Sequence, residues 1–172
     1  MSRILVVDDQ EMMRDSLVTT LAREGHEVVA AGDGAAALGR LGGGGRFDLL
    51  ITDLKMPRMT GIELLQEARR LRPEMLVVMM TAHATVPTAV EAMKLGAYDY
   101  IQKPFDGDAI KLLVERAIEH GRLVRENQAL RCMSEVSVPR PLIGNSAVMQ
   151  EVRKKIEQVA RSSFKSWSVA PL

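Results

Sequence analysis

Short apolar runs recur along the first hundred positions of the chain, and more polar segments separate them. Each run is rich in β-branched or aliphatic residues and has the length of a strand; the runs cover positions 4–7, 27–31, 48–52, 75–81 and 97–101. Because the runs are largely apolar and do not alternate with polar residues, we expect the strands to be buried on both faces. This pattern is typical of a parallel sheet covered by helices on each side.

The segments between the runs carry apolar residues at helical spacing, which predicts amphipathic helices. The apolar positions of the first four are Met12, Leu17 and Leu21; Ala35, Leu38 and Leu41; Ile62, Leu65 and Ala68; and Val86, Val90 and Met93. Gly25, Pro73 and Gly96 follow the first, third and fourth of these segments, where a helix is expected to stop. Strand and helix therefore alternate, and the predicted fold class is α/β with a doubly wound, five-stranded sheet.

A fifth helix is predicted to begin near Asp106 and Asp108, whose carboxylates suit a helix N-terminus. The apolar positions of this helix and of its continuation beyond Gly121 are Ile110, Leu113, Ala117, Leu123 and Leu130. The steps of three and four residues through Leu123, Asn127 and Leu130 fit a short coiled coil that pairs two copies of the chain. A solvated helix that contacts only its own domain fits equally well, and both interpretations stay open.

The last part of the chain has its own pattern. Pro139 and Pro141 interrupt the helix, and Ser146 is a suitable N-cap for a short helical element that runs through residues 148–159. Residues 164–172 show no periodicity. We therefore expect a short helical tail that ends in an irregular segment.

Composition and charge narrow the class of protein. Hydrophobic residues make up 47% of the chain, charged residues make up 26%, and the net charge is +1. This balance fits a globular protein and lacks the strong positive charge typical of a nucleic-acid-binding domain. The apolar run at 4–7 is too short for a signal peptide or a membrane span, so a cytoplasmic location is expected.

Polar side chains stand at the predicted carboxyl ends of four strands. Asp8 and Asp9 follow the first strand, Asp53 the third, Thr81 ends the fourth, and Lys103 comes just after the fifth. Each of these residues alone has an ordinary explanation in a turn or loop. Because ligands bind at the carboxyl ends of the strands in doubly wound sheets, we expect the five side chains to form one site.

This combination of residues suits phosphoryl transfer. Three carboxylates repel one another unless a cation lies among them, and Mg²⁺ is the hard divalent ion that such oxygen ligands favour. Mg²⁺ together with the Lys103 ammonium would supply positioning and charge stabilisation. Asp53 is the candidate nucleophile, forming an acyl phosphate.

Four short motifs resemble the receiver domains of two-component response regulators. They are Leu-Val-Val-Asp-Asp at 5–9, Thr-Asp-Leu-Lys-Met-Pro at 52–57, Met-Thr-Ala at 80–82 and Lys-Pro-Phe at 103–105. The resemblance covers about the first 120 residues (1–120). It implies a flavodoxin-like fold with strand order 2-1-3-4-5, and a phosphorylation-activated signalling switch that accepts its phosphoryl group from a sensor histidine kinase.

The resemblance also implies roles for individual residues. Asp53 would be the phosphoacceptor, and Asp8, Asp9, Asp53 and the backbone carbonyl of Lys55 would be the Mg²⁺ ligands. Thr81 would reach a phosphoryl oxygen, and Lys103, in a cis peptide bond with Pro104, would pair with the phosphoryl group. Tyr100 would turn inward as Thr81 moves. The surface of the fourth helix, fifth strand and fifth helix would then change, and with the linker helix it would form a homodimer.

A further segment points to one branch of this family. Pro-Leu-Ile-Gly-Asn-Ser at 141–146, with the helical pattern after it, resembles the start of the ATPase domain of sigma-54-dependent transcription activators of the nitrogen-regulatory type. The expected organisation is a receiver domain (1–120), a linker helix (121–140), and an N-terminal fragment of the ATPase domain with an irregular tail (141–172).

The chain departs from that branch because no G-x-x-x-x-G-K-[ST] phosphate loop and no helix-turn-helix motif follow. We therefore expect this chain neither to hydrolyse ATP nor to contact DNA or a membrane. A fragment of a longer activator, whose full-length form would bind DNA and sigma-54 RNA polymerase, is favoured over a receiver with an unusual tail.

The main alternative is a Mg²⁺-dependent phosphatase with an aspartate nucleophile. Such an enzyme needs an acid two residues after the nucleophile to protonate the leaving group. Lys55 follows Asp53 at that spacing, and Gln10 follows Asp8. The sequence therefore favours the switch over the enzyme. An inactive interaction module is a third interpretation, and it is disfavoured because every expected site residue is present.

Overall fold

The computed structural model describes residues 1–82 and 86–137, with side chains for 1–82 and 87–132. Strands and helices alternate along the chain. The strands are β1 (Arg3–Val7), β2 (Glu27–Ala31), β3 (Leu49–Asp53), β4 (Leu76–Thr81) and β5 (Asp99–Gln102). The helices are α1 (Glu11–Arg23), α2 (Gly34–Gly42), α3 (Gly61–Leu71), α4 (Val86–Lys94) and α5 (Gly107–Ser137). The predicted helical element after residue 141 lies outside the described residues.

All five strands are parallel and follow the order β2-β1-β3-β4-β5, which confirms the predicted fold class and strand order. The chain reverses its direction of winding next to β1, so the carboxyl ends of β1 and β3 lie side by side. Val7 of β1 is in register with Thr52 of β3, which places Asp8 and Asp53 at the same edge. This edge is the switch point where doubly wound folds bind ligands.

The core forms two apolar layers, one on each face of the sheet. Alternate strand residues such as Leu5, Leu50 and Val77 pack with apolar residues of α2, α3 and α4. Their neighbours, such as Ile4 and Ile51, pack with α1 and α5 on the other face. Burial on both faces explains why the central strands carry continuous apolar runs up to their polar carboxyl ends.

The fifth strand differs from its prediction. We expected a strand at 97–101, but β5 spans Asp99–Gln102, and its residues alternate between half-buried and exposed. The reason is its position at the edge of the sheet, where one flank lacks a neighbouring strand. The Tyr98 amide still donates to the carbonyl of Val77 at 2.7 Å, so the chain joins the sheet before regular pairing begins.

Helix α5 is 31 residues long. Near the base of the sheet, a Cβ at Gly121 would lie 3.2 Å from Leu76, so this part of the helix packs closely on β4. Arg125 then pairs with Asp48 at 3.3 Å. Leu123 and Val124, in the same stretch, are exposed. No helix within the described ranges is long and apolar enough to cross a membrane.

Candidate phosphoacceptor site

The structure brings the strand-end residues together at the carboxyl edge of the sheet. Asp8 is fully buried, and Asp53 and Thr81 are each 6% exposed, whereas Asp9 faces solvent. The strands fix these positions, because β1, β3 and β4 are neighbours in the sheet and end at the same level. Buried acids are rare in proteins unless they are paired or bind a cation.

Three carboxylates form a compact cluster in this site. One oxygen from each of Asp8, Asp9 and Asp53 lies within 4.8 Å of the others. All the donors are hard oxygens, and one of the three residues is accessible from solvent. The donor set therefore fits a small divalent cation better than it fits a softer metal.

Lys103 provides the positive charge of the cluster. Its Nζ lies 2.6 Å from Oδ2 of Asp8 and 3.3 Å from Oδ1 of Asp53, and its side chain is 9% exposed. The backbone amide of Lys103 donates to the carbonyl of Thr81 at 2.7 Å, and the bond to Pro104 is cis. Three carboxylates and one ammonium leave a formal charge of −2, which a divalent ion would neutralise.

Burial and like charge act on Asp53 together. Desolvation raises the pKa of Asp53 above its ordinary value, the Lys103 ammonium opposes this rise, and the nearby Asp8 adds to it. The raised pKa means that the ionised form of Asp53 is less favourable here than it is in water. A cation or a transferred phosphoryl group that engages the site would relieve part of that cost.

The two oxygens of Asp53 have different surroundings. Oδ1 accepts the backbone amide of Leu54 at 2.9 Å and also faces Lys103. Among the residues that the structure describes, Oδ2 accepts no hydrogen bond. One oxygen thus orients the carboxylate while the other keeps its lone pairs for a reacting group.

Gly61 fixes the backbone beneath this carboxylate. A Cβ at Gly61, the first residue of α3, would collide with the carbonyl oxygen of Asp53. The Gly61 amide donates to the carbonyl of Leu54 at 2.9 Å, so the loop after β3 returns directly onto the strand end. Thr60 and Glu63 form a capping box that starts the helix at this point. Sequence reasoning missed Gly61, because a glycine after a threonine gives no sign of a close backbone approach.

The other predicted residues lie around the cluster. Thr81 and Tyr100 line one small cleft between β4, β5 and α4, together with Thr88. The cleft holds about 10 Å³, and Tyr100 is 40% exposed, so its ring lies largely outside. The side chain of Lys55 is exposed two residues after Asp53. The functional roles of these residues remain predictions.

Arg14 of α1 is a site residue that sequence reasoning did not select. Its Nη1 donates to the backbone carbonyls of Asp8 at 2.8 Å and Asp9 at 3.3 Å. An arginine on an amphipathic helix usually belongs to the solvated face, so no sequence signal distinguishes this one.

Comparison with known proteins agrees with the geometry of the site. Residues 4–115 match the response regulator receiver domain family, and the chain belongs to this family. It is a family of signalling domains in transcription regulators and is not an enzyme family.

The relatives that the chain resembles include nitrogen regulatory proteins, in line with the branch that the sequence predicted. The chain is 35% identical to the nitrogen assimilation regulatory protein NtrX of Azorhizobium caulinodans over 98% of its length, which is 37% of that protein. A crystal structure of NtrX from Brucella abortus in complex with ADP is similar with a TM-score of 0.72 and 38% identity, over 92% of this chain and 34% of that one.

A receiver domain from Clostridium thermocellum matches with a TM-score of 0.68 and 30% identity, over 72% of this chain and 99% of that one. The receiver fold is therefore matched along its whole length, whereas the chain spans only about a third of the curated relatives that it matches.

Proposed function

We propose that this chain is a signalling switch that accepts a phosphoryl group from a sensor histidine kinase on Asp53. The observation that carries the proposal is the buried Asp53 carboxylate, with Oδ1 held by Leu54 and Lys103, and Oδ2 without a hydrogen-bond partner among the described residues. Oδ2 would attack the phosphorus as the bond from phosphorus to the kinase histidine breaks. The bonding electron pair then goes to the imidazole nitrogen.

Asp8, Asp9, Asp53 and the backbone carbonyl of Lys55 would hold one Mg²⁺ in this site. The fit is supported by the compact group of carboxylate oxygens and by its net charge of −2 after Lys103 is counted. When bound, Mg²⁺ would stabilise the negative charge on the phosphoryl oxygens. Lys103, which spans Asp8 and Asp53, would turn its ammonium toward the incoming group and assist the same charge.

The switch would act through Thr81 and Tyr100. A phosphoryl group adds a charge of about −1.5 to −2 and three strong acceptor oxygens. The Thr81 hydroxyl would donate to one of these oxygens, which would open the cleft that Thr81 shares with Tyr100. The Tyr100 ring would then move inward from its exposed position. Changes at the site would in this way reach the surface of α4, β5 and α5.

That surface is a suitable homodimer interface. Among the residues whose side chains the structure describes, ten large hydrophobic residues are exposed, and seven of them lie on α4, β5 or α5: Val90, Met93, Tyr100, Leu112, Leu123, Val124 and Leu130. Val90, Met93 and Tyr100 line one shallow cleft, and exposed apolar residues that gather in this way usually mark an interaction site. Residues 121–140 would act as the linker helix, with Leu123 and Leu130 one heptad apart in a short coiled coil.

In the full-length protein, this switch would control transcription activation from the cytoplasm. Residues 1–120 would be the receiver and 141–172 the start of the ATPase domain. ATP hydrolysis and binding of DNA and sigma-54 RNA polymerase would belong to parts beyond this chain.

The test is labelling by a small phosphodonor, acetyl phosphate, in the presence of Mg²⁺. Asp53→Asn should abolish labelling, because the amide oxygen is a poor nucleophile. Asp15→Asn, at an exposed position on α1, is the matched control and should be labelled like the unchanged protein. Labelling of Asp53→Asn at full stoichiometry would assign the acceptor elsewhere and refute the proposal.

A further inference from the structure

We infer that Arg14 is a positioning residue that holds the metal-binding loop between β1 and α1 in its binding conformation. The inference rests on the proposed function, because it concerns the same acidic site. One guanidinium nitrogen, Nη1, donates to two consecutive backbone carbonyls, those of Asp8 at 2.8 Å and Asp9 at 3.3 Å. Both of these residues also contribute a side-chain oxygen to the carboxylate cluster.

Contacts of the backbone and of the side chain fix Arg14 next to this loop. The Arg14 amide donates to the carbonyl of Gln10 at 3.1 Å in the first turn of α1. The Gln10 amide in turn donates to Oδ1 of Asp8 at 2.9 Å. On the other side, a Cβ at Gly32 would lie 3.6 Å from Nη1, so the backbone after β2 packs directly against the guanidinium. The half-buried side chain therefore lies between the loop after β1 and the loop after β2.

Arg14 has two opposing effects on the affinity of the site for a cation. As a positive charge near three carboxylates, Arg14 would weaken the binding of a cation, and its removal would tighten binding. As a donor to both carbonyls, Arg14 keeps Asp8 and Asp9 in place before the cation arrives, and its removal would weaken binding. Hydrogen bonds from a charged donor are about twice as strong as neutral ones. Asp9 is exposed, so solvent screens the repulsion between the Arg14 charge and a cation bound there. The positioning effect should therefore dominate.

The test compares Arg14→Met with Arg23→Met by Mg²⁺ titration calorimetry on the whole chain. Arg23 is exposed in the last turn of the same helix, about 13 Å along its axis, so its substitution removes the same charge without touching the loop. Arg14→Met should weaken Mg²⁺ binding about tenfold or more, as is usual when a group that orients a metal ligand is lost. Arg23→Met should leave the affinity unchanged within about twofold.

Amide hydrogen exchange of the Mg²⁺-free protein is a second measurement. It responds to a change in the structure of the loop and should not respond to the loss of a charge alone. The amide of Gln10 should exchange faster in Arg14→Met and at the unchanged rate in Arg23→Met. Arg14→Gln keeps a donor and should recover part of the affinity; it also takes over the comparison if Arg14→Met does not fold.

Equal or tighter Mg²⁺ binding by Arg14→Met, with unchanged exchange at Gln10, would overturn this inference. The proposed function fails separately, if the unchanged protein neither binds Mg²⁺ nor becomes labelled at Asp53.

Discussion

The guanidinium of Arg58 lies 2.6 Å from the carboxylate of Asp33, and this ion pair joins the loop after β3 to the N-cap of α2. Arg58 has a φ of 69°, and the Met59 amide donates to the carbonyl of Pro57 at 2.8 Å, which closes a γ-turn around it. Such a turn is strained for a residue other than glycine and persists where its surroundings hold it. The loop that carries Lys55 is therefore anchored to α2.

We expect Asp33→Ala to unfold at a lower temperature than Asp33→Asn, and Asp33→Asn at a lower temperature than the unchanged protein. Oδ1 of Asp33 accepts the Ala36 amide at 2.8 Å and caps α2, a bond that asparagine preserves and alanine loses. The hydrogen bond from Ala36 and the charge of Arg58 lower the pKa of Asp33. Its charge thus stabilises the folded state at neutral pH, and this contribution is lost as the pH falls through the folded pKa.

Thermal unfolding of the three proteins, measured from neutral pH down to a pH below the folded pKa of Asp33, checks the prediction. The unchanged protein and Asp33→Asn should converge in acid, while Asp33→Ala should stay below both. If Asp33→Ala were as stable as the unchanged protein at neutral pH, the Asp33 cap would not contribute to the stability of the fold.

Gly61→Ala should destabilise the fold by about 1–3 kcal/mol, since the new methyl group meets the backbone carbonyl of Asp53 and one of the two must shift. Gly39→Ala is the matched control. Gly39 lies inside α2, and no described atom outside its own stretch of helix comes within 4 Å of the added Cβ, so this change should stabilise by about 0.5–1 kcal/mol. Urea denaturation measures both. We also expect slower labelling of Gly61→Ala, and equal effects of the two substitutions would contradict the close packing.

Asp53→Asn should make the Mg²⁺-free protein more stable at neutral pH. Desolvation raises the pKa of Asp53 above its ordinary value of 3.8, so the folded state binds this proton more tightly than the unfolded state does. Stability is therefore lost as the pH rises from about 3.8 through the folded pKa, and asparagine avoids this loss. Denaturation in EDTA at several pH values should show a gain near neutrality that disappears in acid. A gain of equal size at all pH values would exclude titration of Asp53 as its cause.

Self-association should depend on the apolar face of α4, β5 and α5. Sedimentation of the chain with beryllofluoride and Mg²⁺, compared with the chain alone, should show a shift toward a dimer that Met93→Ser weakens. Leu123→Ser tests the contribution of the linker helix by itself, because this change should weaken the dimer only if the linker helices pair. Met12→Ser is the control, since Met12 is 88% exposed on α1, outside the face. An equal loss in the control would mean that the effect is not specific to the face.

The alternation of strands and helices and the gathering of polar residues at one edge could be predicted from the residue pattern, whereas the strand order came from the resemblance to receiver domains. Parallel strands end at one edge, so Asp8, Asp53 and Thr81 needed only to be placed at strand ends to be brought together. The resemblance to receiver domains then supplied the roles, which the geometry alone does not assign.

Features that depend on tertiary contacts could not be predicted. Arg14 reaches the carbonyls of the loop only because α1 packs beside it, and Gly61 matters only because α3 starts against the end of β3. The extent of β5 was misjudged because an edge strand is exposed on one flank, where polar residues are tolerated. In each case the decisive partner is distant in sequence or is a backbone atom.

The most direct test of the account is to trap and map the modified residue. The unchanged chain is incubated with acetyl phosphate, with Mg²⁺ or with EDTA, then reduced with borohydride, which converts an aspartyl phosphate to homoserine, and its peptides are mapped by mass spectrometry. The account predicts homoserine at position 53 with Mg²⁺ and unmodified Asp53 with EDTA. Modification at another aspartate, or equal modification of Asp53 in EDTA, would contradict it.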